Sequence, residues 1–451
     1  MTDNGNNDEF TNKLLIMKKN TEKLLSADIE SVLSQNSPLL SRDELLSYVS
    51  HCFNLGSKYL EAVKGEALPL YILDSSILKE SADKFKKSFM AVLPDTAFYF
   101  AVKSNNHHDV SRILLQSGFG LDVSSGPELK MALNLGASDI VFSGPGKTRV
   151  ELQAAVTNSD KLTVLMDSFG ELAKLQEIAA ANNRVVRAGV RLTTGRETLW
   201  RKFGIALDDL IHFCEKAKSC SNVKFCGLQF HMSWNLTPDA QCNFIETLGR
   251  TLARLPESFR KSIEFIDIGG GYWPPQGEWL QPAGTVEGRL RAAVGRETGK
   301  PTDHYRLPAA SIDDFAGRLS QAINRHIFTV IKCRICFEPG RWICHDAMHL
   351  LLSVADKKAD DMVITDAGTN AIGWERFETD YFPVLNLTTP SLDERACNIL
   401  GSLCTPHDVW GYAYWGEGIK DGDILMIPSQ GAYTYSLRQN FIKPLPSVVV
   451  L

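Results

Sequence analysis

Eight short apolar, β-branched runs alternate with helical stretches between about residues 95 and 340, and this rhythm limits the fold more than any other feature. The runs are Thr96–Val102, Phe119–Val123, Asp139–Phe142, Leu162–Met166, Val186–Leu192, Phe225–Phe230, Phe265–Ile268 and Cys333–Phe337. Helical periodicity falls between them at Val110–Leu115, Glu128–Leu135, Glu171–Ala181, Leu207–Ala217, Phe244–Leu255 and Phe315–Ile323. Such alternation specifies parallel strands covered by helices. Eight units followed by an all-β tail favour closure into a (β/α)8 TIM barrel over an open doubly wound sheet. The expected fold class is therefore α/β, a barrel over 81–345 with a C-terminal β-rich domain, barrel or sandwich, over 346–451. Residues 66–80 are expected to contribute a strand to that β domain. Residues 1–65 read as a polar helical extension, with intermittent periodicity at Leu14-Leu15-Ile16, Leu24-Leu25 and Leu45-Leu46 with Val49.

Composition narrows the function. A chain of 451 residues is long enough for two domains, and 44% hydrophobic with 22% charged residues is ordinary for a globular protein. A dispersed net charge of −5 argues against nucleic acid as a partner. No apolar run approaches the roughly 20 residues of a membrane span, and the polar start, Met1 to Phe10, is unlike a signal peptide. Ten cysteines without compact spacing imply reduced thiols and a cytoplasmic location. Cys333-x-x-Cys336 sits in a strand whose alternate residues face opposite ways, so no metal site is expected.

In such a barrel chemistry collects where strands run into the following loops, with phosphate commonly held after the seventh and eighth. Lys103 ends the first strand, His231 and Ser233 the sixth, Gly269-Gly270-Gly271 the seventh and Glu338-Pro339-Gly340-Arg341 the eighth. All four clusters converge on one rim. A lysine ending the buried run Phe98–Val102 is costly as a cation, because desolvation favours the neutral amine, and a neutral amine condenses with a carbonyl cofactor. The alternative is a lysine that has simply reached solvent. Three glycines let backbone N–H groups approach an anion, or mark a plain tight turn. Arg341 adds a fixed cation matched to phosphate. Glu338 needs a positive partner, either Arg341 or a protonated ring nitrogen. His231 lies flat on such a ring or is a core histidine. A Schiff-base lysine, a phosphate cradle and an acid for a ring nitrogen together describe pyridoxal 5′-phosphate (PLP). The long connection from Tyr272 to about Ser311 lies on the same rim, as a lid, a substrate-selecting loop or a surface insertion.

Ala101-Val102-Lys103-Ser104-Asn105, the triple glycine, Glu338-Pro339-Gly340-Arg341, Cys404-x-x-x-Asp408 and Gly431-Ala432-Tyr433 occur in a familiar order. Over about residues 66–445 the chain resembles fold-type III PLP-dependent decarboxylases, the alanine-racemase-like family that includes the diaminopimelate and ornithine enzymes. The resemblance implies a head-to-tail homodimer with active sites shared between subunits. It implies that Lys103 holds PLP, His231 stacks on it, Glu338 meets the pyridine nitrogen and Tyr433 contacts the phosphate. Asp122, Ser233, Gly269, Gly270, Gly271, Gly340 and Arg341 complete the implied cofactor site. Cys404 is implied as proton donor to the decarboxylated carbon, reaching in from the partner subunit, with Asp408, Thr405 and Asn370 against substrate.

The departures concern the substrate. Diaminopimelate enzymes follow the catalytic cysteine with an acid and ornithine enzymes with an aspartate, to hold a distal amine; this chain has Thr405-Pro406. Where diaminopimelate enzymes place an arginine soon after Asp-Ala-Gly-Met-Asn, this chain reads Asp366-Ala367-Gly368-Thr369-Asn370-Ala371-Ile372-Gly373-Trp374. A polar substrate group without its partner costs about 1–3 kcal/mol. The strand-six loop also differs, reading His231-Met232-Ser233-Trp234, which leaves a phosphate-binding serine absent or displaced to Ser233. With its Cys-Thr-Pro-x-Asp motif the chain is similar to the branch serving specialised pathways. Those enzymes decarboxylate amino acids joined to something larger, such as citryl-diaminopropionate in siderophore synthesis or carrier-bound glutamate in antibiotic synthesis. Trp234, Trp273, Trp279 and Trp374 line a wider mouth or simply pack. The expected activity is removal of the α-carboxylate from a small-molecule or carrier-conjugated amino acid. The alternatives are a decarboxylase of free diaminopimelate, lysine or ornithine, a racemase, and a silent PLP-binding protein. Racemases of this fold use a tyrosine as second base, which Cys404 disfavours; the joint presence of Lys103, Glu338 and Cys404 disfavours silence.

Overall fold

The structure, a computed structural model, describes residues 29, 38–195, 199–293, 295, 303–373 and 379–451. Leu14 to Ile16, Leu24-Leu25 and Trp374 lie outside the described residues. Helix α1 (Arg42–Ala62) leads to strand β1 (Leu70–Leu73) and helix α2 (Ser75–Met90). Strands β2 (Thr96–Ala101), β3 (Gly120–Val123), β4 (Ile140–Phe142), β5 (Leu162–Met166), β6 (Val186–Leu192), β7 (Val223–Phe230) and β8 (Phe265–Asp267) follow. After a hairpin of β9 (Glu278–Leu280) and β10 (Tyr305–Leu307), strand β11 (Arg334–Phe337) pairs in parallel with both β8 and β2 and closes the barrel. The eight runs read from the sequence are the eight barrel strands.

Alternation along the strands divides the interior from the helical coat. Tyr99, Val141, Leu165, Cys226, Phe265 and Cys336 pack together inside the barrel. Cys333 packs instead against the outer core, so the two cysteines of the C-x-x-C pair face opposite sides. The outer helices are α3 (His108–Gln116), α4 (Gly126–Asn134), α5 (Arg149–Thr157), α6 (Phe169–Ala181), α7 (Leu210–Lys218), α8 (Asp239–Arg254) and α9 (Ile312–His326). Helices α2 and α5 are additions to the sequence reading. In α2 the spacing of Leu78, Ala82, Phe85 and Phe89 buries one face, and Asp74 caps it by accepting from the Ser76 N–H. The strand expected over 66–80 is consequently confined to 70–73. In α5 Thr148 and Glu151 form a capping box.

The second sheet takes its eight strands from both ends of the chain. Strands β12 (Met348–Ala359), β13 (Met362–Thr365), β14 (Leu385–Asn386), β15 (Glu394–Leu400), β16 (Val409–Trp415), β17 (Ile424–Ile427) and β18 (Ser447–Val450) are joined by β1, which lies between β12 and β18. The buried face of α1, Leu45, Val49, Cys52, Gly56 and Tyr59, packs on this sheet against Leu351, Leu385, Trp415 and Met426.

The insertion after β8 is strapped down at several points. Leu39 bridges to Tyr305, the Leu40 N–H donates to the His304 carbonyl (2.8 Å), and the Tyr381 N–H donates to the Trp279 carbonyl (2.9 Å). Its described part is thus a brace between the N-terminal segment, the barrel and the β domain. No helix among the described residues is long and apolar enough to cross a membrane.

Candidate active site

At the carboxyl ends of the barrel strands lies a cavity of about 420 Å³. Strand β2 runs out into a single 3-10 turn, Val102–Ser104, which aims Lys103 into it. The turn is clasped from the β domain: the Tyr433 N–H donates to the Ser104 carbonyl (2.8 Å) and Asn105 Nδ2 donates to the Gly431 carbonyl (2.9 Å). His231, Ser233, Gly271, Glu338, Gly340, Arg341 and Tyr433 line the same cavity.

The charge state of Lys103 departs from expectation. Parallel register sets Ala101 of β2 beside Asp122 of β3, and Lys103 Nζ donates to Asp122 Oδ2 at 2.5 Å. Asp122 is fully buried, and its other oxygen accepts from Ser143 Oγ. Burial pulls the Lys103 amine down, but the carboxylates of Asp122 and Glu338, the Tyr433 hydroxyl and the hydrogen bond outweigh it and hold the amine above its ordinary value. Without cofactor Lys103 is therefore an ammonium, not the neutral amine that desolvation alone would give. Asp122, expected at the cofactor, is the counter-ion of Lys103.

Glu338 is 1% exposed. Its carboxylate accepts from Gln229 Nε2 (3.4 Å to each oxygen) and lies 3.5 Å from His231 Nδ1. Burial raises it, while His231 and the charges of Lys103 and Arg191 outweigh burial and hold it below the usual carboxylate range. Nearby Asp267 goes the other way: burial and the Glu338 charge push it well above that range. Burial and the Lys103 charge keep His231 below its ordinary value despite Glu338, so the ring is neutral.

The triple glycine is required by geometry. Gly269 and Gly271 have φ of +70° and +85°, and a Cβ on Gly270 would fall against the Glu338 carbonyl. Two of the three amides are already engaged: the Gly269 N–H donates to Asp267 Oδ1 (2.8 Å) and the Gly270 N–H to His231 Nδ1 (3.2 Å). The turn thus carries His231 and leaves Gly271 facing the cavity. Arg341 does not pair with Glu338; its guanidinium stacks 4.4 Å from the Trp273 ring and 5.0 Å from the Tyr433 ring. An amine, a buried carboxylate kept ionised, a neutral imidazole and a glycine turn beside a guanidinium are the donor set that a phosphorylated pyridine aldehyde needs.

Other expected residues stand elsewhere. Asp408 is 2% exposed and accepts from the Thr369 N–H (2.7 Å), Thr369 Oγ1 (3.0 Å) and the Leu403 N–H (2.7 Å). It shapes the Cys404 loop and does not face the cavity. Asn370 is likewise buried, donating to the Gln439 carbonyl (3.1 Å). Cys404 and Thr405 line no part of their own chain's cavity, and Cys404 is exposed. Trp279, expected near a mouth, is buried between Tyr48 and Tyr381; Trp234 and Trp273 do line the cavity. The sequence reading missed Arg191 at the end of β6, which stacks 4.4 Å from Phe203, and Gln229, Asp267 and Ser143 beneath the rim. Each sits within three residues of a barrel-strand terminus, the signal that would have found them.

Residues 77–345 match the family described as the pyridoxal-binding domain of pyridoxal-dependent decarboxylases. The chain is similar to the diaminopimelate decarboxylase of Bacteroides thetaiotaomicron, 27% identical over 390 residues that take in 81% of this chain and 90% of that protein. It is also similar to the L-glutamyl-(BtrI acyl-carrier protein) decarboxylase of Niallia circulans, 24% identical over 400 residues, 82% of this chain and 84% of that one. Among solved structures, diaminopimelate decarboxylase from Helicobacter pylori in complex with L-lysine shares the fold, with a TM-score of 0.69 and 21% identity over 87% of this chain and 94% of the other. With the match spanning the whole barrel, the chain belongs to the PLP-dependent decarboxylases and is a carboxy-lyase.

Proposed function

We propose that this enzyme removes the α-carboxylate of an amino acid conjugated to a larger group, in a specialised pathway of the siderophore or antibiotic type. The observation that carries the proposal is the cavity wall, to which Trp200, Phe203, Trp234, Trp273 and Phe382 contribute a broad aromatic surface. Such a wall gives a bulky, extended substituent broad apolar contact that a small free amino acid would leave unused. A relative acting on a carrier-bound glutamate supports the reading. Two charged lining residues favour the second reading: Asp380 and Arg191 match in charge the distal amine of free lysine or ornithine and the distal carboxylate of diaminopimelate.

PLP, when bound, supplies the electron sink that accepts the pair left behind by carbon dioxide. With PLP bound, Lys103 would hold its aldehyde and Asp122 would keep the amine in place. Glu338 would face the ring nitrogen as an ionised carboxylate, and His231 would pack beside the ring. Gly271, Gly340, Arg341, Ser233 and Tyr433 would hold the phosphate. Cys404 Sγ delivers the proton to the α-carbon. Its exposure outside its own cavity supports a homodimer in which Cys404 of a second copy completes the site. The barrel and β domain divide near residue 345. The free thiols fit a reducing cytoplasm.

Carbon dioxide release across free diaminopimelate, lysine and ornithine, a citryl-diaminopropionate-type conjugate and carrier-bound glutamate tests the substrate. The expected result is kcat/KM about tenfold or more higher on a conjugate. Robust turnover of free diaminopimelate alone would overturn the proposal.

A further inference from the structure

Helix α1 precedes β1 and the barrel, yet one of its side chains reaches the back of the cavity wall. Tyr48 Oη lies 2.5 Å from Ser429 Oγ, and Ser429 Oγ donates to Asp346 Oδ1 at 2.6 Å. The serine hydroxyl has one proton, and it goes to Asp346, so Tyr48 is the donor to Ser429. The three groups form a one-way relay ending on a carboxylate. The Tyr48 ring is itself held edge-on, 4.9 Å from Trp279 of the strapped hairpin. Ser429 faces the cavity, and its own N–H donates to His349 Nδ1 (3.1 Å).

Ser429 begins the segment that presents Ala432, Tyr433 and Thr434 to the cavity. The segment is bent at both ends into the left-handed region, with φ of 57° at Ser429 and 60° at Tyr433. Neither residue is glycine, and such conformations persist only where surrounding bonds over-determine them. At the Tyr433 end the bond to the Ser104 carbonyl does this; at the Ser429 end the relay from α1 does.

We propose that Tyr48 is a positioning residue for the cofactor phosphate, acting through Ser429 and Asp346 to fix the bent segment 429–433 on which Tyr433 is carried. The inference rests on the assignment of Tyr433 to the PLP phosphate. It makes the N-terminal helix part of the cofactor site rather than an appended cap.

The test compares two substitutions on the same helix face. Tyr59 donates to Asp74 Oδ2 (3.3 Å), the cap of α2, so Tyr59→Phe removes a comparable hydroxyl that is no member of the relay and keeps the ring that packs on His349. Dissociation constants for PLP and for pyridoxal, which lacks the phosphate, are measured by visible absorbance on full-length cofactor-free protein. Tyr48→Phe is expected to weaken PLP about tenfold, the scale of one lost hydrogen bond, while pyridoxal and kcat at saturating PLP change less than about twofold. Tyr59→Phe is expected to leave both affinities at the wild-type value. Unchanged PLP affinity in Tyr48→Phe, equal weakening of PLP and pyridoxal, or equal weakening in both variants would overturn the proposal. A wild-type protein that does not prefer PLP to pyridoxal would instead remove the phosphate assignment, and the inference with it.

Discussion

The ion pair beneath the cavity sets how readily the enzyme takes up its cofactor. Asp122→Asn removes one negative charge 2.5 Å from Lys103 Nζ but keeps an oxygen that accepts the same hydrogen bond. An opposite charge within about 4–6 Å shifts a pKa by about 1–3 units, and the acceptor oxygen that asparagine keeps leaves the low end of that range, about 1–2 kcal/mol off the ammonium. At about 1.36 kcal/mol per pKa unit, the amine falls by about one unit. The direction follows from protonation: the folded-state amine is held above its ordinary value, and it must lose a proton before attacking an aldehyde. In the wild type the rate of PLP capture should therefore climb about tenfold per pH unit across the neutral range. In Asp122→Asn the same profile should sit about one unit lower, with capture about tenfold faster at any fixed pH below the amine's pKa. Stopped-flow absorbance of PLP mixed with cofactor-free protein, from pH 6 to 9, reads both curves. A variant profile that superimposes on wild type, or lies at higher pH, would refute the counter-ion assignment.

Other outcomes follow from the same geometry. Glu338→Gln keeps the shape and the Gln229 contact but removes the charge facing the ring, so PLP should remain bound while carbon dioxide release falls about 10²–10³-fold; a change under twofold would contradict the role. Gly270→Ala drives a methyl group against the Glu338 carbonyl and should destabilise by about 1–3 kcal/mol, seen as a lower Tm and weaker PLP binding. An unchanged Tm would mean that the turn relaxes. Cys404→Ala should keep its cofactor and lose normal amine formation, and wild-type kinetics in that variant would remove Cys404 from the proton transfer.

The barrel was legible because its strands are mostly buried and read as largely apolar runs, from Phe98–Val102 to Cys333–Phe337, interrupted by single charges such as Arg334. Helix α2 was less legible, since Ser75 to Met90 carries its apolar residues sparsely among lysines, although Leu78, Ala82, Phe85 and Phe89 keep helical spacing. Within the β-rich tail β14 and β15 carry little strand signal, because β14 spans two residues and β15 is partly exposed, with Glu394 and Arg395 leading it. At the site the rim residues were visible one by one, whereas their charges were not. Whether Lys103 is neutral depends on Asp122, 19 residues away and brought beside it by β2–β3 register. The hydrogen bonds that Asp408 accepts from the Thr369 and Leu403 amides depend on a loop packing that no local motif announces. Tyr48 gave no signal at all, because its meaning comes from Ser429, 381 residues further on.

The central claim is that Lys103 grips PLP at this rim. Borohydride reduction of the PLP-loaded enzyme, followed by proteolysis and mass spectrometry of the peptides, reads that bond directly. The account predicts a phosphopyridoxyl group on the peptide containing Lys103 and its loss in Lys103→Ala. A group found on another lysine, or on none in a protein loaded with PLP, would contradict it.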